Sequence, residues 1–291
     1  MRERLGVAVG ILSSAFGGGA AVATRYLISS ADPFTIAAIR FGGGVICLMP
    51  IALLVGVRWP ATAGDWARVA GLGFLFFAIF FVFYNLALAY TTVARGTLAL
   101  STLPLMTMLV GAGLGIEALS ARKTIGVLMA MCGVAAALAS GLAQTIPGAW
   151  RGDLIMTGAT FCMALYNVWS RPLIARSSAL GFVTAGMLAG AVMLIGVSVA
   201  VGGITQLRDF TSEQWTAAAY LAGAGGALAF FLWVWALERA SPTRVANTMT
   251  ANPIVAGLLA AGILGEPLSY RLIAGLIAVF AGIWIATSDG H

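Results

Sequence analysis

Charge is scarce in this 291-residue chain. Lys, Arg, Asp and Glu together make up 9% of it, against about 25% in an ordinary soluble domain. With 60% apolar residues and a mean hydropathy of +0.98, the 16 basic and 10 acidic side chains cannot cover the surface of a water-soluble fold. This excludes a cytosolic enzyme, a disordered tail and a nucleic-acid binder. The only histidine is His291, and the three cysteines (Cys47, Cys132 and Cys162) each fall inside apolar runs. No disulfide framework or metal site follows from such a set, and no cofactor is expected. Acids are missing from the middle of every apolar run, so neither a nucleophile–base pair nor a metal-ligand set for an intramembrane enzyme can be assembled. The net charge of +6 and sequence pI near 9.7 come from basic residues spread too thinly to form a patch.

Long apolar runs are what the chain does have. A helix needs about 20 apolar residues to cross roughly 30 Å of hydrocarbon. Breaking the chain at polar punctuation leaves ten such stretches, numbered here as spans one to ten: 5–29, 33–57, 66–89, 92–115, 122–141, 152–175, 179–201, 214–238, 242–264 and 269–287. Their continuous apolarity, without alternation, argues against a membrane β-barrel. The first stretch is too long for a signal-peptide core and is expected to stay. Asp32 before Pro33 and Ser241 before Pro242 each read as a helix N-cap followed by proline in the first turn. The side holding the N-terminus collects ten Lys and Arg and the other side five, with Arg40 inside span two. The positive-inside rule then places both termini in the cytoplasm of a multi-pass inner (plasma) membrane protein. Thirty-seven glycines exceed what lipid-facing helices require. The pairs Gly6/Gly10, Gly111/Gly115 and Gly186/Gly190 have the small-xxx-small spacing of close helix packing.

Shifting the chain by 149 residues aligns its halves without a gap over 87–133, with 13 of 47 positions identical. Chance in so Ala-, Leu- and Gly-rich a chain gives roughly a tenth. The matches that composition cannot explain are Arg95 with Arg244, Pro104 with Pro253, Glu117 with Glu266, Ser120 with Ser269 and Arg122 with Arg271. Spans one to three and six to eight show no comparable register. Each half holds five spans, an odd number, so the second half must be inverted. The expected fold is all-α and polytopic: ten transmembrane helices as two inverted five-helix repeats, 1–146 and 147–291, around a central cavity. Inverted repeats are the architecture of many secondary transporters, because equivalent halves can exchange conformations and expose one site to each side in turn.

Three features make the chain resemble the EamA branch of the drug/metabolite transporter superfamily. They are the stretch 34–44 (FTIAAIRFGGG), the paired signatures Glu117-Ala118-Leu119-Ser120 and Glu266-Pro267-Leu268-Ser269, and Gly152-Asp153-Leu154 at the opening of the second half. The resemblance implies a basket-shaped carrier of small metabolites, commonly amino acids, with a cavity lined from spans one, three, four, six, eight and nine. It also implies a looser turn after Glu117, where Ala118 replaces the proline.

Pro104 and Pro253 lie about halfway along spans four and nine. Each deprives a carbonyl, that of Leu100 or Met249, of its helical partner, which lipid depth tolerates only beside protein, a hydroxyl or a watery cavity. The break either shapes the bundle or lines a site. Ser101, Thr102, Thr250 and Asn252 beside the prolines favour a site. Tyr84-Asn85 in span three, Tyr166-Asn167 in span six, Trp233 in span eight and Asn247 in span nine form a second set. Buried amides must face partners rather than acyl chains, either lining the cavity or joining helices. Tyr84 and Trp233 read as a pair of gates or as aromatic-belt residues. Arg40 lies seven residues inside span two. It either bonds carbonyls or Asp32, or joins Arg25 in drawing anionic groups into an outer vestibule.

These readings lead to a monomeric secondary transporter in the lipid bilayer that binds a small-molecule substrate and no nucleic acid. Export of neutral or aromatic amino acids by alternating access is the leading expectation. The alternatives are a multidrug or cationic-compound exporter, which would want an acid in the cavity, and a channel-like facilitator. With no intramembrane carboxylate or histidine to relay protons, facilitated diffusion or exchange is expected instead of proton coupling.

Overall fold

The computed structural model describes residues 2–91, 96, 99–137, 148–252, 254 and 255, and positions 274, 277, 278, 281, 282, 284 and 285 of span ten. Every one of the ten stretches carries helix, and no strand occurs among the described residues. Arg2–Leu27, Pro33–Val55, Ala63–Ala87, Ala179–Ala200 and Ser212–Arg239 are each long and apolar enough to cross a membrane. Span six is the 28-residue helix Ala149–Arg176, span five is Ala121–Ala137, and Leu103–Gly113 forms the second part of span four.

Local chemistry sets the helix ends. The Asp32 carboxylate accepts from the backbone of Phe34 and Thr35 at 2.9 and 3.1 Å, with Pro33 supplying the first turn. Thr211 and Gln214 form a reciprocal capping box at the start of span eight. Ser241 behaves differently from expectation. Its backbone is extended and Pro242 follows, but its hydroxyl caps nothing. The free Thr243 N–H is instead met by the carboxylate of Glu117 at 3.1 Å, from the turn between spans four and five. A carboxylate there also meets the positive end of the helix dipole, so a distant acid outcompetes the local serine.

Hydrogen bonds between turns respect the alternation of ten spans. At the end of the bundle holding Arg2, Ser178 donates to Arg58 O and Arg176 pairs with Asp65. At the far end, Gln214 donates to Ser30, and the Asp32 N–H donates to Gln206. Packing between helices repeats across the halves. Span one lies on span eight as span six lies on span three, span one on span nine as span six on span four, and spans two and seven run along each other. Gly282 of span ten packs on the backbone of Gly126 and Ala130 in span five. Exchanging each span for its counterpart leaves these pairings unchanged, as an inverted duplication requires.

The register also reappears where sequence identity had faded. Spans three and eight each contain a π-helical segment, Phe74–Phe80 and Gly223–Leu228, whose first residues are 149 positions apart, the shift of the 87–133 repeat. In spans four and nine the helix breaks at matching places, a turn at 101–102 and a 3-10 segment at Met249–Ala251. Pro104 therefore stands in the first turn of a restarted helix, where its missing N–H costs nothing.

Close approach, more than burial from water, holds helices together in lipid. A Cβ on Gly73 would stand 2.1 Å from Gly186 O, one on Gly10 2.9 Å from Thr248 Oγ1, and one on Gly6 3.2 Å from Ala240. Two of the three predicted small-residue pairs thus lie at helix contacts. Gly111/Gly115 does not: Gly111 faces its own chain's Glu117, and Gly115 is a helix terminator at φ +67° with open space around it. That left-handed glycine closes the helix, and Glu117 is then fixed by Lys123 at 3.0 Å as well as by Thr243. The turn is tied down despite Ala118.

Candidate functional site

The helix breaks and the π-helices meet in one place. A cavity of about 50 Å³ is lined by Ser13, Ser14 and Gly17 of span one, Arg40, Phe76, Phe80, Phe81 and Tyr84 of span three, Leu100, Met163, Ala229, Phe230, Trp233, Met249 and Asn252. Leu100 and Met249, each four residues before a proline in the sequence, are repeat equivalents, and both face it. The volume admits a few waters, each needing about 10–15 Å³, so the site is nearly closed.

Arg40 is its only charged lining residue among the described residues, and is 6% exposed. Its Nε and Nη2 both donate to Gly225 O, at 3.2 and 2.7 Å. The π-helix makes that oxygen available. The Ala229 N–H, which in an α-helix would bond Gly225 O, goes to Ala224 O and Gly226 O. The same glycine-rich segment admits the helix of span two, since a Cβ on Gly226 would stand 2.7 Å from Arg40 O. The guanidinium carbon lies 4.8 Å from the Phe81 ring centre and 5.3 Å from that of Phe230, within cation–π range. Nη1 has no hydrogen-bond partner among the described residues. Of the sequence alternatives, carbonyl bonding is what the geometry contains. Asp32 is engaged elsewhere, with Thr35 and the span-two backbone. Arg25 is exposed at the end of span one and does not join Arg40 in the cavity.

The other sequence candidates divide. Tyr84, Trp233 and Asn252 line the cavity. Asn85 does not; its amide donates to Pro33 O at 2.9 Å and joins span three to span two. Asn167 is fully buried behind the wall, accepting from the Trp233 indole N–H at 3.0 Å and so fixing that ring. Tyr166 stacks on Phe76 at 4.2 Å, one layer back. Ser101 and Pro104 are buried at the break of span four without lining the cavity, and Asn247 is buried with neither amide atom partnered among the described residues. Pro253 lies outside the described residues.

Sequence reasoning missed Ser13, Ser14 and the phenylalanines of span three. Ser13 donates to Ala229 O at 2.7 Å, and Ser14 meets Thr248 at 3.4 Å, both across more than 200 residues of chain. A signal for the serines existed, since they form a polar pair in the middle of an apolar run. Nothing local separates Phe76, Phe80 and Phe81 from lipid-facing phenylalanines.

Comparison with known proteins agrees with this architecture. The EamA-like transporter family matches the chain twice, over 4–139 and 150–288. The uncharacterized transporter YyaM of Bacillus subtilis is 25% identical over 281 residues, covering 94% of this chain and 90% of its own. An uncharacterized transporter of Archaeoglobus fulgidus is 24% identical over 266 residues, 89% of each chain. One crystal structure, 23% identical, superposes with a TM-score of 0.78 over 97% of this chain and 96% of its own, which speaks to the fold. Helix in each of the ten apolar stretches among the described residues and a family match over both 4–139 and 150–288 lead to one statement: the chain belongs to the EamA-like transporter family.

Proposed function

We propose that this transporter moves amino acids with neutral or aromatic side chains across the inner (plasma) membrane, exporting them by alternating access with both termini in the cytoplasm. The units exchanging conformation are the halves 1–146 and 147–291, acting as a monomer. The observation that carries the reading is the chemistry of the cavity wall. Among the described residues, one buried arginine has an unengaged Nη1 and no acid beside it in the lining. The amide of Asn252 and the hydroxyls of Ser13 and Ser14 share the wall, and aromatic rings with a few aliphatic and methionine side chains make up the rest. A zwitterion suits this set. Its carboxylate pairs with Arg40, its ammonium is met by Asn252 and carbonyls at the helix breaks, and its side chain lies on Phe76, Phe81 and Trp233. A cationic compound would meet Arg40 without a counter-charge.

The cavity is too small for an amino acid as it stands, so loading requires the halves to separate on one side. Contacts between the second part of span four and the start of span nine, tied by Glu117 to Thr243, close the end holding Arg2. No acid among the described residues lines the cavity, which favours exchange or facilitated diffusion over proton coupling.

Counterflow in proteoliposomes preloaded with each of the twenty amino acids tests the proposal. Phenylalanine, leucine and similar substrates are expected to exchange saturably, with little response to a pH gradient at zero membrane potential. Exchange of organic cations but not amino acids, or conductance too fast for alternating access, would overturn it.

A further inference from the structure

A second hollow lies away from the central cavity, on the outside of the bundle between spans three and six. It has a volume of about 590 Å³, within the range of about 300–1,000 Å³ typical of ligand sites. Its walls are apolar, including Leu75, Ile79, Trp169 and Pro172, and its mouth carries Arg68 and Arg176. Both arginines converge on one oxygen of Asp65, Arg176 at 3.1 Å and Arg68 at 4.0 Å. Asp65 is nearly buried, with 11% of its side chain exposed, whereas the arginine side chains are 65% (Arg68) and 58% (Arg176) exposed. One acid cannot neutralise two bases, so the mouth keeps one net positive charge. The groove is therefore cationic at the membrane surface and apolar toward the bilayer centre.

We propose that this groove is a binding site for an anionic phospholipid, with the phosphate on Arg68 and Arg176 and an acyl chain lying along Trp169. The order of charge and apolar surface matches that of the lipid. Basic pockets between spanning helices recognise anionic headgroups in this way. The single net charge supplies the selectivity, since one Lys or Arg near an anionic surface favours binding about five-fold. Any lipid can cover the apolar wall; only an anionic one is retained at the mouth.

Quenching of Trp169 by lipids brominated on the acyl chain reads occupancy directly. The full-length protein in mixed micelles is titrated with brominated phosphatidylglycerol or brominated phosphatidylcholine. Subtraction of the W169F variant isolates Trp169 from the other seven tryptophans. Half-maximal quenching is expected at about five-fold lower phosphatidylglycerol than phosphatidylcholine. Arg68→Gln leaves the Asp65–Arg176 pair in place, keeps the fold and should make the two curves coincide. Asp65→Asn frees a second positive charge and should widen the gap. Equal quenching by both lipids in the unmodified protein, or a gap indifferent to both variants, would overturn the proposal. So would absence of quenching by either lipid, which would mean that another occupant, such as a second copy of the chain, covers the groove.

Discussion

Replacing Arg40 by methionine separates its structural from its functional role, because the two have opposite energetic signs. In place, the guanidinium gains a charge-assisted bond to Gly225 O, about 1.5–3 kcal/mol. It also gains ring contacts with Phe81 and Phe230, each about 0.5–2 kcal/mol. Against this stands the cost of an unpaired charge removed from water, several kcal/mol, or about 2.5–3.5 kcal/mol on insertion scales at helix centre. Methionine keeps most of the volume and abolishes both sides of this balance, so the folded state should change by no more than about 1–2 kcal/mol. Substrate binding has no such offset. Loss of a charge-assisted bond to a carboxylate costs about 1.5–3 kcal/mol, a ten- to hundred-fold rise in the concentration for half-maximal counterflow. Amino-acid amides, which lack the carboxylate and keep the positive ammonium, should lose nothing in affinity on the substitution, because Arg40 offers them only repulsion. Thermal unfolding in detergent and counterflow with paired acid and amide substrates measure the two effects. Unchanged affinity for the acid with a collapsed unfolding temperature would refute the assignment and make Arg40 a structural clamp alone.

Three further outcomes follow from the same geometry. Gly17→Ala places a methyl carbon 2.7 Å from the Asn252 amide and should cut the maximal transport rate several-fold, whereas Gly196→Ala, with open space around it, should leave transport intact. Trp233→Phe removes the donor to Asn167, whose Nδ2 already lacks a partner among the described residues, and should cost about 1–3 kcal/mol in thermal or denaturant unfolding. The double variant Trp233→Phe with Asn167→Leu should recover much of that loss. Glu117→Ala removes the cap on Thr243 and the Lys123 pair, lowering stability by about 0.5–2 kcal/mol. Glu117→Gln keeps an acceptor and should lose less, and equal losses for the two variants would argue against the cap.

Ten spans, the helix breaks in spans four and nine, the cap at Asp32 and the turned-over duplication are all legible in the sequence, because each depends on neighbours along the chain. Bilayer thickness sets a run length, proline acts on the carbonyl four residues back, and a cap reaches two or three residues. Which face of each helix looks inward is another matter. Lipid and protein interior are equally apolar, so hydropathy carries no signal that separates Phe76 from a lipid-facing ring. Only the assembled bundle assigns Asn85 to joining spans two and three, Asn167 to orienting Trp233, and Asn252 to the cavity. The same holds for Arg40, whose acceptor is 185 residues away and is exposed by a π-helical shift in span eight. Ser241 yields its capping place to Glu117 for a like reason, since a charge brought near by folding outbids a hydroxyl that is merely adjacent in the chain.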